Sequence, residues 1–418
     1  MSDYLLHCRK CGALLQPQES ASGVHCPDAL MKSEFPDRRF RLEGRRGIWR
    51  FNWLPVHAPR EDTAAPVVYH AEGLGRRLGL RHLFVVFNGF RPEKGAEIET
   101  CTFKEFEAEV VLQNARELGK GGLVVASAGN TARAFAHLSI RTDFPVFIVV
   151  PRMCLHEMWF LKSKESVPTA VLQDGDYADA IDVAERIARI SGIPFEGGVR
   201  NSAKRDGLGV VLMEAVSFLG RLPDAYFQAV GSGAGAVATW EMAERFLRDG
   251  RFGNRLPRLH LAQNLPFAPM FHAWRRGERN LKPEDLDPGL IEKISTRVLS
   301  SRYPAYSILG GVYDALTASG GNMYGITNGG MAEARTLFEE TEGVDIVPAS
   351  AIALAALKEA VAAEEVSPDE LILLNITGGG ERAIRRAGRA VPVAGDAISK
   401  NITDDEIEEL LCTVLKKS

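Results

Sequence analysis

Lys104 lies in the run Cys101-Thr102-Phe103-Lys104-Glu105-Phe106, a setting in which an amine can become a nucleophile. Thr102 and Glu105 have the spacing of a reciprocal helix cap, so a helix is expected to open here with Lys104 in its first turn. The positive end of a helix dipole disfavours an ammonium by about 0.3–1 kcal/mol. It also lowers the amine pKa, which is what a lysine that bonds covalently to a carbonyl carbon needs. The same residues also describe a solvated lysine that tolerates a small cost. Three further runs couple the end of a strand to a loop that could hold an anion. In Ser127-Ala128-Gly129-Asn130-Thr131 successive backbone amides can form an anion pocket and Asn130 adds a side-chain amide, although a plain capped turn reads the same way. Gly231-Ser232-Gly233-Ala234-Gly235 has small residues that let amides approach a phosphate. It lacks the third glycine of a dinucleotide fingerprint, whose place Ala236 takes, and no P-loop lysine follows, so it suits a single phosphate monoester better than a pyrophosphate. Asn375-Ile376-Thr377-Gly378-Gly379-Gly380-Glu381 again ends a strand in a hydroxyl and glycines, or simply caps the next helix.

The elements that would hold these residues follow a repeating strand, loop and helix order from about Gly47 onward. Short apolar runs near 83–87, 123–126, 146–150, 169–172, 226–230 and 371–376 read as buried strands, and helices are expected over 103–118, from 131, and after 172 with Ile181, Ala184, Ile187 and Ala188 on one face. This alternation predicts an α/β protein with two open, mostly parallel sheets, whose ligands gather at the carboxyl ends of strands. The 418 residues are too many for one comfortable core. With 45% apolar and 25% charged residues, disordered and low-complexity architectures are excluded. The 50 basic and 54 acidic residues leave a net charge of −4, so no global field exists to hold nucleic acid. No apolar stretch is long enough for a membrane span and no secretory signal core is present, so the expected address is the cytoplasm.

Residues 1 to about 45 differ from the rest in being polar and carrying Cys8, Cys11 and Cys26. Cys8-x-x-Cys11 has the spacing of a zinc knuckle, with Cys26 as a third ligand. A fourth thiolate is missing, since Ala29 holds its place. His7, His25 or Asp28 could substitute, or the ribbon could keep its shape without metal, and the sequence alone assigns no metal.

Taken together and in this order, the motifs resemble the fold-type-II pyridoxal-5′-phosphate enzymes, which share a tryptophan synthase β-like fold, and most closely their threonine synthase branch. That branch places a lysine after a Ser/Thr-Phe dipeptide, then an S-x-G-N-T loop, a glycine-rich phosphate loop and a T-G-x-G turn. Gly47-Ile48-Trp49-Arg50-Phe51 followed by Leu54-Pro55 is also similar to a stretch that precedes the catalytic body there. The resemblance implies an N-terminal segment over 1–45, a large cofactor-binding domain over 46–105 and 196–418, and a small substrate-carboxylate domain over 106–195. It implies that Lys104 holds the cofactor and later carries the Cα proton, that Asn130 bonds the cofactor's ring hydroxyl oxygen, and that Gly231, Ser232, Gly233, Ala234 and Gly235 cradle its phosphate. Thr377 would face the pyridine nitrogen, where a neutral hydroxyl favours elimination and replacement at the β carbon. Ser127, Gly129 and Thr131 would hold the substrate carboxylate.

Two departures flank the reacting end of the substrate. Glu105 and Phe106 replace the usual Asp-Arg pair, and Asn88-Gly89-Phe90-Arg91-Pro92-Glu93-Lys94-Gly95-Ala96 replaces the usual Asn-Pro-Thr-Gly. Within the branch the pattern resembles the cysteate synthases of methanogenic archaea, which implies β-replacement of the phosphate of O-phospho-L-serine by sulfite, on the route to coenzyme M. The alternatives are a threonine synthase using O-phosphohomoserine and water, a cysteine-forming sulfhydrylase, and a non-catalytic binding protein of the same fold. Two anionic substrates require a basic pocket, for which Arg91, Lys94, Lys204 and Arg205 are the candidates, each also readable as a solvated loop charge. A homodimer with small-molecule substrates is expected, without nucleic acid or membrane partners. An acidic amphipathic helix is expected over 404–411, with no role legible.

Overall fold

Apolar runs bounded by glycine and proline become the strands of two parallel sheets in the computed structural model, which describes residues 4–20, 25–59 and 63–415. The larger sheet has the order Asn322–Ile326, Arg258–Asn264, Ala225–Ala229, Leu371–Ile376, His82–Phe87, Val67–His70. Only its edge strand Val67–His70 runs antiparallel to its neighbour. The smaller sheet is parallel throughout, in the order Asp396–Ile398, Thr169–Leu172, Val146–Pro151, Leu123–Ala126. Ala225–Ala229 and Leu123–Ala126 are buried at every position, which is what a sheet covered on both faces requires and why these strands are almost entirely apolar. The expected strands at 123–126, 169–172 and 371–376 are found with those bounds.

A glycine sets the spacing of the helices behind the cleft. The Ser202–Leu219 helix crosses the Lys104–Glu117 helix at Gly207, where a Cβ would lie 2.5 Å from the Phe106 carbonyl oxygen. Only a residue without a side chain permits that approach. Lys204, one turn earlier, is thereby carried up against Glu107.

The N-terminal segment forms a three-stranded antiparallel ribbon in the order Leu14–Leu15, Leu5–Cys8, Met31–Glu34. It is fastened to the body through polar contacts. Arg9 pairs with Glu244 at 2.7 Å and lies over the Trp240 ring at 4.3 Å, and Ser33 donates to buried Asp206 at 2.5 Å.

The C-terminal end corrects the expected division of the chain. Residues 196–418 do not all stay with the larger sheet, because Asp396–Ile398 pairs with Thr169–Leu172 of the smaller one. The acidic helix, which runs over Asp404–Leu415, packs on the Tyr177–Ser191 helix with Ile407 fully buried and Asp404 paired to Arg186 at 2.6 Å. Its apolar stripe therefore covers the outer layer of the smaller sheet. Among the described residues no helix is long and apolar enough to cross a membrane.

Candidate active site

The carboxyl ends of strands from both sheets face one cleft. Its lining includes Lys104, the Ser127–Thr131 loop after Leu123–Ala126, the Gly231–Gly235 turn after Ala225–Ala229, Thr377 after Leu371–Ile376, and Lys204. Five segments distant in sequence thus meet where an open α/β fold places its ligands.

Lys104 is the first residue of its helix, as expected, but the expected reciprocal cap does not form. The Glu105 carboxylate turns back to Thr100, accepting from its hydroxyl at 2.6 Å, while Thr102 Oγ1 accepts from the Lys104 amide at 3.3 Å. The physical reason is that Phe103 already has helical dihedrals and its amide is taken by the Thr377 carbonyl at 2.9 Å. That bond ties the lysine's backbone directly to the Thr377 turn.

Lys104 Nζ donates to Glu107 Oε2 at 2.8 Å. Burial pulls its pKa below the ordinary lysine range and the nearby Lys204 charge adds to this, against the pull of Glu107. Glu107 is completely buried, and its Oε1 accepts from Thr131 at 2.8 Å and pairs with Lys204 Nζ at 3.2 Å. Burial opposes its ionisation, but the two lysine charges and the Thr131 hydrogen bond outweigh burial and hold its pKa below the usual value. Lys204 Nζ also reaches Glu196 Oε2 at 3.2 Å. Burial works against the Lys204 charge, yet Glu107 and Glu196 overcome it and raise its pKa. Glu196 goes the other way, burial raising its pKa, and its Oε1 is buried without a hydrogen-bond partner. Two amines and two carboxylates therefore form a continuous buried network beside the cleft.

Ser127 Oγ accepts from the amides of Gly129 at 3.0 Å and Ala132 at 2.9 Å, so its hydroxyl shapes the loop and caps the next helix. Asn130 Oδ1 accepts from buried Arg133 at 2.8 Å, and Arg133 is itself held over the Trp159 ring at 4.0 Å. With its oxygen engaged, Asn130 has its Nδ2 donor left for a ligand in the cleft it lines. No side chain caps the Ala234–Asp249 helix within normal hydrogen-bond length; Ser232 Oγ only reaches the Ala234 amide at 3.5 Å. Its first-turn amides and dipole are therefore available to an anion. Here the glycines are also required by protein packing. A Cβ on Gly233, whose φ is +88°, would lie 2.4 Å from Val312 Cγ2, and one on Gly235 would lie 2.4 Å from Gln228 Nε2.

Thr377 is held from behind by Ser350, whose Oγ lies 3.2 Å from Thr377 Oγ1, donates to the Gly378 carbonyl at 3.0 Å and accepts from the Gly378 amide at 3.0 Å. Ser350→Ala would leave that buried amide without an acceptor, at a cost of about 1–3 kcal/mol. The variant is expected to melt at a lower temperature in calorimetry; an unchanged melting temperature would show that the amide has another partner.

Three of the four expected anion-binding cations do not reach the cleft. Arg91 donates to the Glu342 carbonyl at 2.8 Å and pairs with Glu93, because the longer 88–96 loop folds back as a small hairpin. Lys94 is exposed on that hairpin. Arg205 is buried on the far side of its helix, bonded to Glu241 at 3.0 Å and to the carbonyls of Val199 and Met31. Among the lining residues the cations are Lys104 and Lys204. Glu107, Glu196 and Ser350 were not foreseen. Glu107 had a signal, since it sits three residues after Lys104 on one helical face.

These residues fit a pyridoxal phosphate on the structure's own terms. An amine with a lowered pKa, an amide donor, a hydroxyl and an uncapped helix end with bare glycine amides line a single cavity. A family model described as pyridoxal-phosphate dependent enzyme matches residues 64–378. The chain is 45% identical over 393 residues to a cysteate synthase of Methanocella paludicola, covering 92% of each protein. It is 44% identical over 416 residues to a cysteate synthase of Methanosarcina barkeri, covering 98% of this chain and 100% of that one. Among solved structures, maize serine racemase matches with a TM-score of 0.59 at 16% identity, over 77% of this chain and 92% of that chain. Threonine deaminase isoform 2 of Solanum lycopersicum matches with a TM-score of 0.54 at 17% identity, over 75% and 84%. At those identities the structural likeness speaks for the fold alone.

Proposed function

Because the chain belongs to the pyridoxal-phosphate-dependent enzyme family and, within it, to the cysteate synthases, we propose that it converts O-phospho-L-serine and sulfite to L-cysteate and phosphate. The observation that supports this reading is the meeting of Lys104, the Gly231 turn and Lys204 in one cleft. Lys104 would carry the cofactor, Gly231 through Gly235 its phosphate, Asn130 its ring oxygen and Thr377 its ring nitrogen. Bound there, pyridoxal phosphate would draw charge from the amino acid's Cα and so acidify its C–H bond.

The chain's own groups supply the rest. Ser127, Gly129 and Thr131 hold the substrate carboxylate. Lys104, freed by the incoming amino group and with its pKa drawn down by burial, acts as the base at Cα. It takes the Cα proton as phosphate leaves the β carbon with the C–O electron pair, and returns it after the sulfite sulfur has bonded to that carbon. Lys204 stays protonated and is the fixed positive charge that the leaving phosphate and entering sulfite meet. Thr377, as a neutral hydroxyl, gives the ring nitrogen no proton to hold, which favours loss and replacement at the β carbon. We extend the proposal to a homodimer in the cytoplasm; light scattering of the purified protein tests its dimeric state.

Incubating the purified, cofactor-loaded protein with each phospho-amino acid, with and without sulfite, tests the reaction. Sulfite-dependent phosphate release from O-phospho-L-serine with L-cysteate formed is expected. Threonine from O-phosphohomoserine, or cysteine from sulfide with no cysteate from sulfite, would overturn it.

A further inference from the structure

We infer that Cys8, Cys11, His25 and Cys26 bind one structural zinc ion that locks the N-terminal ribbon onto the helix carrying Lys204. The ligand atoms of these four residues all lie within 4.8 Å of one another. Tetrahedral zinc, with Zn–S of about 2.3 Å and Zn–N of about 2.0 Å, sets its ligands roughly 3.3–3.8 Å apart, so the four groups need only small rotations to close on one ion. Cys11 Sγ already lies 3.1 Å from His25 Nε2. The backbone has the matching turn. The Gly12 amide donates to the Cys8 carbonyl at 3.1 Å and Gly12 has φ +73°, which folds Cys11 back beside Cys8.

The geometry also chooses among the three candidates for the fourth ligand. His7 and Cys8 are neighbours on the Leu5–Cys8 strand, so their side chains leave opposite faces. Asp28 is engaged by Lys10 at 2.6 Å. His25 joins the cluster. The three cysteines are free thiols, with no disulfide among the described cysteines. A closed set of three thiolates and one imidazole, with no acidic ligand and no open position, is the donor set of a structural zinc site rather than a catalytic one.

The consequence lies in where the ribbon attaches. The Pro27 carbonyl, next to Cys26, accepts from Arg200 at 2.6 Å, and the Met31 carbonyl accepts from Arg205. Ser33 donates to Asp206. Arg200 immediately precedes the Asn201 cap of the Ser202–Leu219 helix, and Lys204 is in that helix's first turn. The ion would therefore brace, through the ribbon, the segment that positions the cleft's second amine.

Elemental analysis of the full-length, cofactor-loaded protein tests this without reference to turnover. Zinc is expected at about one per chain, falling to about a tenth or less in Cys11→Ser and in His25→Ala. Both ligands are exposed, which favours folded variants, and Cys412→Ser, an exposed cysteine at the far end of the chain, should keep its zinc. Co²⁺ in place of zinc should give the absorption of tetrahedral thiolate coordination, lost in Cys11→Ser. Wild-type protein with no stoichiometric metal, a Cys8–Cys11 disulfide found by mass spectrometry, iron in place of zinc, or zinc retained in both ligand variants would each overturn the proposal.

Discussion

Lys104→Ala is expected to give a folded, colourless protein with no borohydride-trapped cofactor adduct and with cysteate formation reduced by at least the roughly 10²–10⁴-fold that a positioned base contributes. The effect is this large because one amine has two duties, attachment of the cofactor and movement of the Cα proton. Folding should survive, because the group left behind is not stranded. Glu107 keeps Lys204 at 3.2 Å and the Thr131 hydroxyl at 2.8 Å when Lys104 is removed. Mass spectrometry of the reduced wild-type protein should place the adduct on the peptide that begins its helix at Lys104. An adduct on Lys204, the other amine lining the cleft, would reverse the two roles. The lowered Lys104 pKa also fixes a pH trend for the cofactor-free protein. Between the folded pKa and the ordinary lysine value of 10.5 the unfolded chain binds more protons, so the Lys104 contribution to stability rises with pH through that window.

Which parts of this site could be read from the residues follows from the range of the interactions involved. The strands 123–126 and 371–376 were legible because each is a largely apolar run, broken in the second only by Asn375, in a sheet covered on both faces, a property carried by the run itself. The Gly231 turn was legible as a glycine-rich turn between a strand and a helix, but the reason for its glycines was not, since Val312 and Gln228 press on it from other segments. Arg91, Lys94 and Arg205 do not line the cleft, because a residue type carries a charge but not the face it leaves by. Arg205 and Lys204 are adjacent on one helix, and the 100° step between them sends one toward Glu241 and the other to the cleft. The pairing of Asp396–Ile398 with Thr169–Leu172 was invisible because three residues carry too short a pattern and the partner is far along the chain. His25 could have been separated from His7 by strand alternation alone, and Glu107 by its three-residue offset from Lys104.

Glu107→Gln should be the most damaging substitution that leaves every cofactor-contacting residue in place. Its carboxylate joins the two amines, at 2.8 Å from Lys104 and 3.2 Å from Lys204. An amide keeps the shape and the Thr131 contact but removes the charge, which leaves one cation of a buried network without its counter-ion. Breaking such a pair costs about 3–5 kcal/mol, and denaturant unfolding near neutral pH is expected to show a loss of that order. The sign of the pH dependence follows from the direction of the shift. The folded-state pKa of Glu107 is depressed, so its stabilisation is fully present above the unfolded value of 4.5 and is lost as pH falls through the folded value. Wild type and variant should therefore converge in acid and differ most at neutral pH. The same substitution removes the one group that supports the Lys104 charge most strongly, so the lysine pKa should fall further. The rate of cofactor uptake by the cofactor-free variant, followed by absorbance, should then reach its plateau at a lower pH than in wild type. Equal stability at neutral pH together with an unmoved or raised plateau would mean that Glu107 is not the counter-ion of the cleft's amines. The carboxylate that Lys204 also touches, Glu196 at 3.2 Å, would then have to carry that charge by itself.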